Sequence, residues 1–150
     1  MLFPRTVLDA IERAIGAAEK MHGGEIRFAI ETSLPPLHVL HGMTPRARAL
    51  EVFANLRVWD TEHNNGVLLY LLLADRSVEI IADRGFDGRV GAAEWEGVCR
   101  LMEEYFRARK FEAGSVAGVN AIGSVLARHF APRAPAGSAH NELADRPTLL

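Results

Sequence analysis

RVWDTEHNNGVLLYLLLADRSVEIIADRGFD, running from Arg57 to Asp87, contains the longest apolar run in the chain, Val67 to Ala74, set between two polar ends. Val67 to Leu73 is apolar at every position, so the strand expected there needs cover on both faces of its sheet. Ala74-Asp75-Arg76-Ser77 supplies a turn, and Val78 to Asp83 returns as a second strand, with Glu79 marking partial exposure of one face. In an antiparallel pair the start of one strand lies beside the end of the other. The hairpin therefore brings the polar septet Asp60 to Gly66 next to Asp83-Arg84-Gly85, and the chemistry is expected at that sheet edge.

Upstream of this stretch, Thr6 to Lys20 places Val7, Leu8, Ile11, Ile15 and Ala18 at helical spacing. His22-Gly23-Gly24 ends that helix, and Glu25 to Glu31 then alternates as a strand, with Ile26, Phe28 and Ile30 on one side and Arg27 and Glu31 on the other. Thr32 to Met43, with two prolines and a glycine, reads as a loop. Thr44-Pro45 opens a second helix whose buried side is expected at Ala47, Leu50, Phe53 and Ala54. Downstream, a helix over about Ala92 to Arg107 buries Trp95, Val98, Cys99, Met102 and Phe106. Another, over about Gly114 to His129, buries Val116, Val119, Ile122 and Leu126. Small residues such as Gly114, Gly118 and Ala121 let that last helix pack closely on its neighbour.

The 150 residues suit one domain, spanning 1–132, and 49% apolar composition is enough for a full core. Residues 133–150, rich in proline, alanine and polar side chains, read as a disordered C-terminal tail. The order α-β-α-β-β-α-α implies an α/β domain, a three-layer α/β/α sandwich around a small mixed sheet. A net charge of −2 and a pI near 6.3 give no case for nucleic acid. The single cysteine, Cys99, excludes an internal disulfide and suits a reducing compartment. Asp9, Glu12 and Arg13 interrupt any signal-peptide core, and no run of about 20 apolar residues exists to span a bilayer. The expectation is a cytoplasmic protein without a transmembrane segment.

Asp60, Thr61, Glu62, Asn64 and Asn65 offer oxygen donors within six residues, and the hairpin adds Asp83. Such donors suit a hard cation, Ca²⁺ or Mg²⁺. An EF-hand is excluded, because Asn65 stands where that loop needs glycine, Leu71 stands where it needs glutamate, and a strand follows. A tight turn with no ligand is the commoner explanation of Asp60 and Asn64-Asn65-Gly66, since Asn-Gly turns are frequent. Arg84 and Arg57 are forked donors for a phosphate or carboxylate, or else partners of Asp60 or Asp83. His63 is either an acid–base group or a solvated surface residue. His38 and His41 lack the further ligands zinc requires, and Cys99 reads as a small buried hydrophobe.

The run Arg57 to Leu68, together with Asp83-Arg84-Gly85, Trp95 and the helix from Gly114 to Phe130, resembles the TPM domain, particularly its short bacterial branch without signal peptide or membrane anchor. The likeness covers about Ile26 to Pro132. It implies the three-layer α/β/α fold, a divalent-cation site, and the weak acid phosphatase activity reported for plant thylakoid relatives active in photosystem repair. Carried over by position, Asp60, Asn64, Asn65 and Asp83 match the acidic or amide places around the family's sheet edge. Two functions follow as expectations. One is a cation-binding interaction module for a protein partner, with the Leu34 to Met43 segment available for docking. The other is a metal-assisted phosphatase in which Arg84 or Arg57 stabilises the oxyanion and His63 protonates the leaving group.

Overall fold

The computed structural model describes residues 2–21, 23–130 and 143–150. Its centre is the pair formed by β1 (Glu25–Glu31) and β2 (Gly66–Leu72), which run parallel with Glu25 opposite Gly66 and Glu31 opposite Leu72. β3 (Ser77–Ala82) returns antiparallel to β2, and β4 (Thr148–Leu149) adds in parallel on the other side of β1, giving the order β3-β2-β1-β4. Every residue of β2 is buried, as its unbroken apolar run requires.

Alternation along the strands divides the core in two. Ile26, Phe28, Ile30, Val67, Leu69 and Leu71 meet the layer of α1 (Arg5–Glu19), α4 (Ala92–Arg107) and α5 (Phe111–His129). Ala29, Leu68, Tyr70, Leu72 and Ile81 meet the layer of α3 (Pro45–Asn55) on the opposite face. These layers form the α/β/α sandwich. α5 lies against α4 so closely that a Cβ on Gly118 would fall 2.2 Å from the Met102 sulfur, which is the close helix packing its small residues predicted.

Apart from an earlier start of α5, at Phe111, and the half-buried state of Trp95, Cys99, Phe106 and Val116, the structure departs from the sequence reading in three places. Within the expected loop, Pro36–Leu40 forms a short helix, α2, because prolines at 35 and 36 supply backbone angles already suited to a helix start. The buried side of α3 is Ala49 and Val52, whereas Leu50 is exposed. α3 is turned so that Arg48 points inward to Glu31, a partner the apolar spacing does not reveal. Residues 143–150, expected to be disordered, are docked on the domain. Leu143 joins the α3-side core, Arg27 donates to the Arg146 carbonyl at 2.5 Å and to the Thr148 hydroxyl, and Arg146 pairs with Asp9 and Glu12. Few apolar residues suffice there, because the segment completes the open edge of β1 instead of building its own core. The remainder of that expected tail, 133–142, and His22 lie outside the described residues.

Candidate functional site

At the sheet end where β1 and β2 begin, the two polar segments meet as the hairpin predicts. Asp83 N donates to Gly66 O at 2.9 Å, and Gly85 N donates to Asn64 O at 2.8 Å. The loop is held from within by Asn65 N on the Thr61 hydroxyl (3.1 Å) and joined to β1 by Glu25 N on Asn65 O (3.1 Å). Asn64 takes a left-handed φ of 52°, which asparagine tolerates better than most residues. Two glycines are required by contact: a Cβ on Gly66 would lie 2.1 Å from Val58 O, and one on Gly85 would lie 2.3 Å from Asn64 O. The NNG and DRG segments are thus two sides of one interlocked backbone.

Their side chains are less unified. Asn65 is buried, its amide nitrogen donates to Gly23 O at 2.5 Å, and its Oδ1 has no hydrogen-bond partner. Asp83 caps the turn Arg84–Phe86 by accepting from Arg84 N at 2.7 Å, while its Oδ2 is buried without a partner. These two orphaned oxygens have the chemistry a hard cation takes. However, the register that sends Val67 and Ala82 toward α1, α4 and α5 sends Asp83 toward α3, whereas Asn65 reaches into the α1–β1 turn. Asp60 is exposed and paired with Arg57 at 3.1 Å, and the Arg57 guanidinium also lies 5.2 Å over the Trp59 ring. His63 is exposed, 4.0 Å from the Glu62 carboxylate, and Arg84 is exposed. Among the described residues, no three of histidine, cysteine, aspartate and glutamate are arranged to hold a metal.

The most densely bonded polar group lies elsewhere. Glu31, at the end of β1, accepts from Tyr70 Oη at 2.6 Å and from Arg48 Nε and Nη2 at 2.8 and 2.9 Å. Arg48 also reaches Glu51, which holds His38 of α2 at 2.9 Å. Burial works to raise the Glu31 carboxyl, but the hydrogen bonds from Arg48 and Tyr70 outweigh it and hold it below the ordinary range. Alternation placed Arg27 and Glu31 on the same side of β1, but nothing in the strand pattern signals that this side is covered by α3. A second carboxyl group, Glu19, accepts from Ile26 N at 2.8 Å. Burial, then a hydrogen bond with Asp145 and the charge of Glu25, push it up to about 10. Burial likewise pushes the Cys99 thiol up to about 12, so it is no thiolate nucleophile.

The family model for the TPM domain matches residues 2–125. No protein with a curated functional description matches the chain. Among solved structures, the BA42 protein of the psychrophilic bacterium Bizionia argentinensis is 28% identical, with a TM-score of 0.83 over 97% of this chain and 93% of that one. The N-terminal domain of a P. gingivalis protein shares the fold at 20% identity and a TM-score of 0.69, covering 86% of this chain and 81% of that one. The N-terminal domain of a Corynebacterium glutamicum protein does so at 13% and 0.60, covering 81% and 72%. No helix among the described residues is long and apolar enough to cross a membrane. With most of its length matched, including the interlocked NNG and DRG segments, the chain belongs to the TPM domain family.

Proposed function

We propose that this TPM domain is an interaction module that docks a partner protein through α2 and the adjoining surface of α3. The observation that carries the reading is α2 itself, which buries none of its residues. Leu37, Val39 and Leu40 are 68%, 61% and 76% exposed, and Leu50 on α3 is 50% exposed. Scattered exposed leucines are ordinary, but three large apolar side chains on one five-residue helix suit an interface. The His38–Glu51 contact holds this helix against α3. The test compares wild type with Leu37→Ser/Leu40→Ser, using a partner captured from the native host, purified and re-bound in isolation. Binding at least about tenfold weaker, with an unchanged circular dichroism spectrum, supports docking. Equal affinity for both forms rejects it.

A divalent cation, Mg²⁺ or Ca²⁺, is the second part of the proposal, and its role is to stiffen the polar loop. The orphaned oxygens of Asn65 and Asp83 are its motive, with Asp60 and Asn64 as further donors from the same loop. Binding would require the Asn65 and Asp83 side chains, which point to different layers, to turn toward one ion. Backbone amide shifts followed during titration address it directly. Movement confined to residues 60–66 and 83–86 supports the site, and no movement at millimolar ion removes the cation while leaving the docking reading intact. Phosphomonoester hydrolysis would need His63 and either Arg84 or Arg57 to face one phosphate, and with Arg57 engaged by Asp60 and Trp59 that role falls to the exposed Arg84. Turnover of an aryl phosphate that requires the cation and disappears in Asp60→Asn/Asp83→Asn would replace the docking reading with an enzymatic one.

A further inference from the structure

The opposite end of the sheet carries a feature that neither the polar loop nor α2 explains. Between the β2–β3 turn and the α4–α5 turn lies a recess of about 270 Å³, floored by Leu71, Phe106 and Phe111 and rimmed by Arg76, Arg107 and Arg109. A second hollow, of about 520 Å³, shares Leu2 and Leu73 with it and continues past Phe3 and Ile30 to Leu149. Phe111 stacks on Phe106 at 5.7 Å and packs on Phe3 at 6.0 Å, so the floor is built from interlocked rings.

We propose that these two adjoining hollows bind a fatty-acid-like amphiphile, one carboxylate on an unbranched alkyl chain, with Arg76, Arg107 and Arg109 taking the carboxylate and the apolar lining shared through Leu2 and Leu73 taking the chain.

The charges argue for an anion. Among the described residues none of these arginines has an ion-pair partner, so the mouth of the recess gathers like charge without an internal counter-ion. Guanidinium forks match a carboxylate in geometry as well as in sign. Backbone strain is a separate observation. Arg76 has φ 53° and Arg109 φ 61°, a left-handed conformation that glycine adopts freely and a branched-Cβ or long side chain adopts at a cost. Both turns nevertheless place an arginine at the strained position, on the rim of the same recess. Arg57 shares this conformation in the polar loop, so what sets Arg76 and Arg109 apart is that both line one recess.

The walls argue for an alkyl chain and against a peptide. An extended peptide would need free backbone groups to pair with, but Leu73 N and Ala74 N already donate to Glu31 O and Thr32 O at 2.9 and 2.8 Å. Leu150 N likewise donates to Ile30 O at 2.8 Å. What remains open is mainly aliphatic and aromatic surface, in a volume typical of small-ligand sites.

The experiment titrates the full chain with decanoate below its micelle-forming concentration, by calorimetry and by amide shifts. Saturable binding is expected, with shifts centred on Leu73, Arg76, Ser77, Arg109 and Phe111. The double substitution Arg76→Gly/Arg109→Gly relieves both strained positions, so the fold survives, and decanoate affinity should fall by at least about tenfold. Decanol, which keeps the chain and loses the charge, should bind more weakly than decanoate by a similar factor. Equal affinity for decanol, an unaffected double variant, or no saturable binding each overturns the proposal. So does co-sedimentation with phosphatidylglycerol vesicles in the absence of decanoate binding, which would assign the arginines to a membrane surface.

Discussion

Replacing Glu19 with glutamine tests whether the chain folds with a neutral acid buried between the start of β1 and Asp145. Glu19 sits at the end of α1, is 7% exposed, and accepts from Ile26 N while bonding Asp145. Burial first, then the neighbouring carboxyl groups Asp145 and Glu25, raise its pKa from 4.5 in the open chain to about 10 in the fold. A carboxyl raised in this way contributes fully below the open-chain value and loses that contribution as the pH climbs toward the folded value. Each pH unit in that window costs about 1.4 kcal/mol, because the unfolded chain releases a proton that the folded one keeps. Between pH 5.5 and 8.5 the wild type should therefore lose up to about 4 kcal/mol from this group alone. Glutamine keeps an oxygen for Ile26 N and an amide hydrogen for Asp145, so Glu19→Gln copies the protonated form and should not show that loss. Urea unfolding of both proteins at pH 5.5, 7 and 8.5 isolates the effect as the difference between two pH slopes. The stability gap should open in favour of the variant as pH rises. A gap that stays constant across the range would mean that Glu19 is ionised in the fold, and the argument fails.

Two further substitutions probe the interlocked loop and the network under α3. Gly66→Ala forces a Cβ to 2.1 Å from the Val58 carbonyl oxygen, a backbone atom that cannot swing aside; it should cost about 2 kcal/mol or more in denaturant unfolding. A loss below about 0.5 kcal/mol would show that the loop relaxes freely and is not fixed by that contact. Arg48→Met leaves Glu31 buried with Tyr70 as its remaining donor, and the expected loss is about 3–5 kcal/mol at neutral pH. The Glu31 pKa lies below the ordinary value in the wild type, so its stabilising share is present at neutral pH and fades as acid protonates it. The penalty of Arg48→Met should accordingly shrink on acidification, and a penalty independent of pH would contradict the assigned ion pair.

What could be read from the sequence followed from periodicity. β1 is delimited at Glu25 and Glu31 by an alternation that only Ala29 breaks, and α4 at Ala92 and Arg107 by its apolar stripe. The hairpin brings the septet Asp60 to Gly66 beside Asp83-Arg84-Gly85 by antiparallel geometry alone, and the structure resolves this to Asp83 N on Gly66 O. Three features were not legible, each for a different reason. Arg48 carries no signal in the sequence, because its ion pair depends on which strand lies beneath the helix, and that is a property of the crossover from β1 to β2. The C-terminal strand carries too few apolar residues to show a pattern and is specified by an unfilled edge and by Arg27. Side-chain direction at the candidate site escaped for a third reason. Backbone register can bring two segments together, but it does not determine whether Asp60 faces Asp83 or, as found, Arg57.

The polar network also bears on how the two proposed surfaces relate. A continuous chain of contacts runs from Tyr70 in the core through Glu31, Arg48 and Glu51 to His38 on α2. Glu31 closes β1, and its carbonyl takes Leu73 N at 2.9 Å, one residue from where Ile30 and Thr32 line the second hollow. The helix proposed for docking is therefore tied by side-chain hydrogen bonds to the strand end that borders the proposed ligand site. Shared residues alone are not coupling, which requires two arrangements that both sites bias. α2 satisfies one condition for such an element. It is short, buries nothing and is tied to α3 by the His38–Glu51 contact, so it can move without opening either core. The sheet satisfies the opposite condition, since its buried strands do not yield. Two physical links join the surfaces: the side-chain route through Arg48, and the short main-chain segment from Thr32 and Ser33, which line the hollow, to Pro36 at the start of α2.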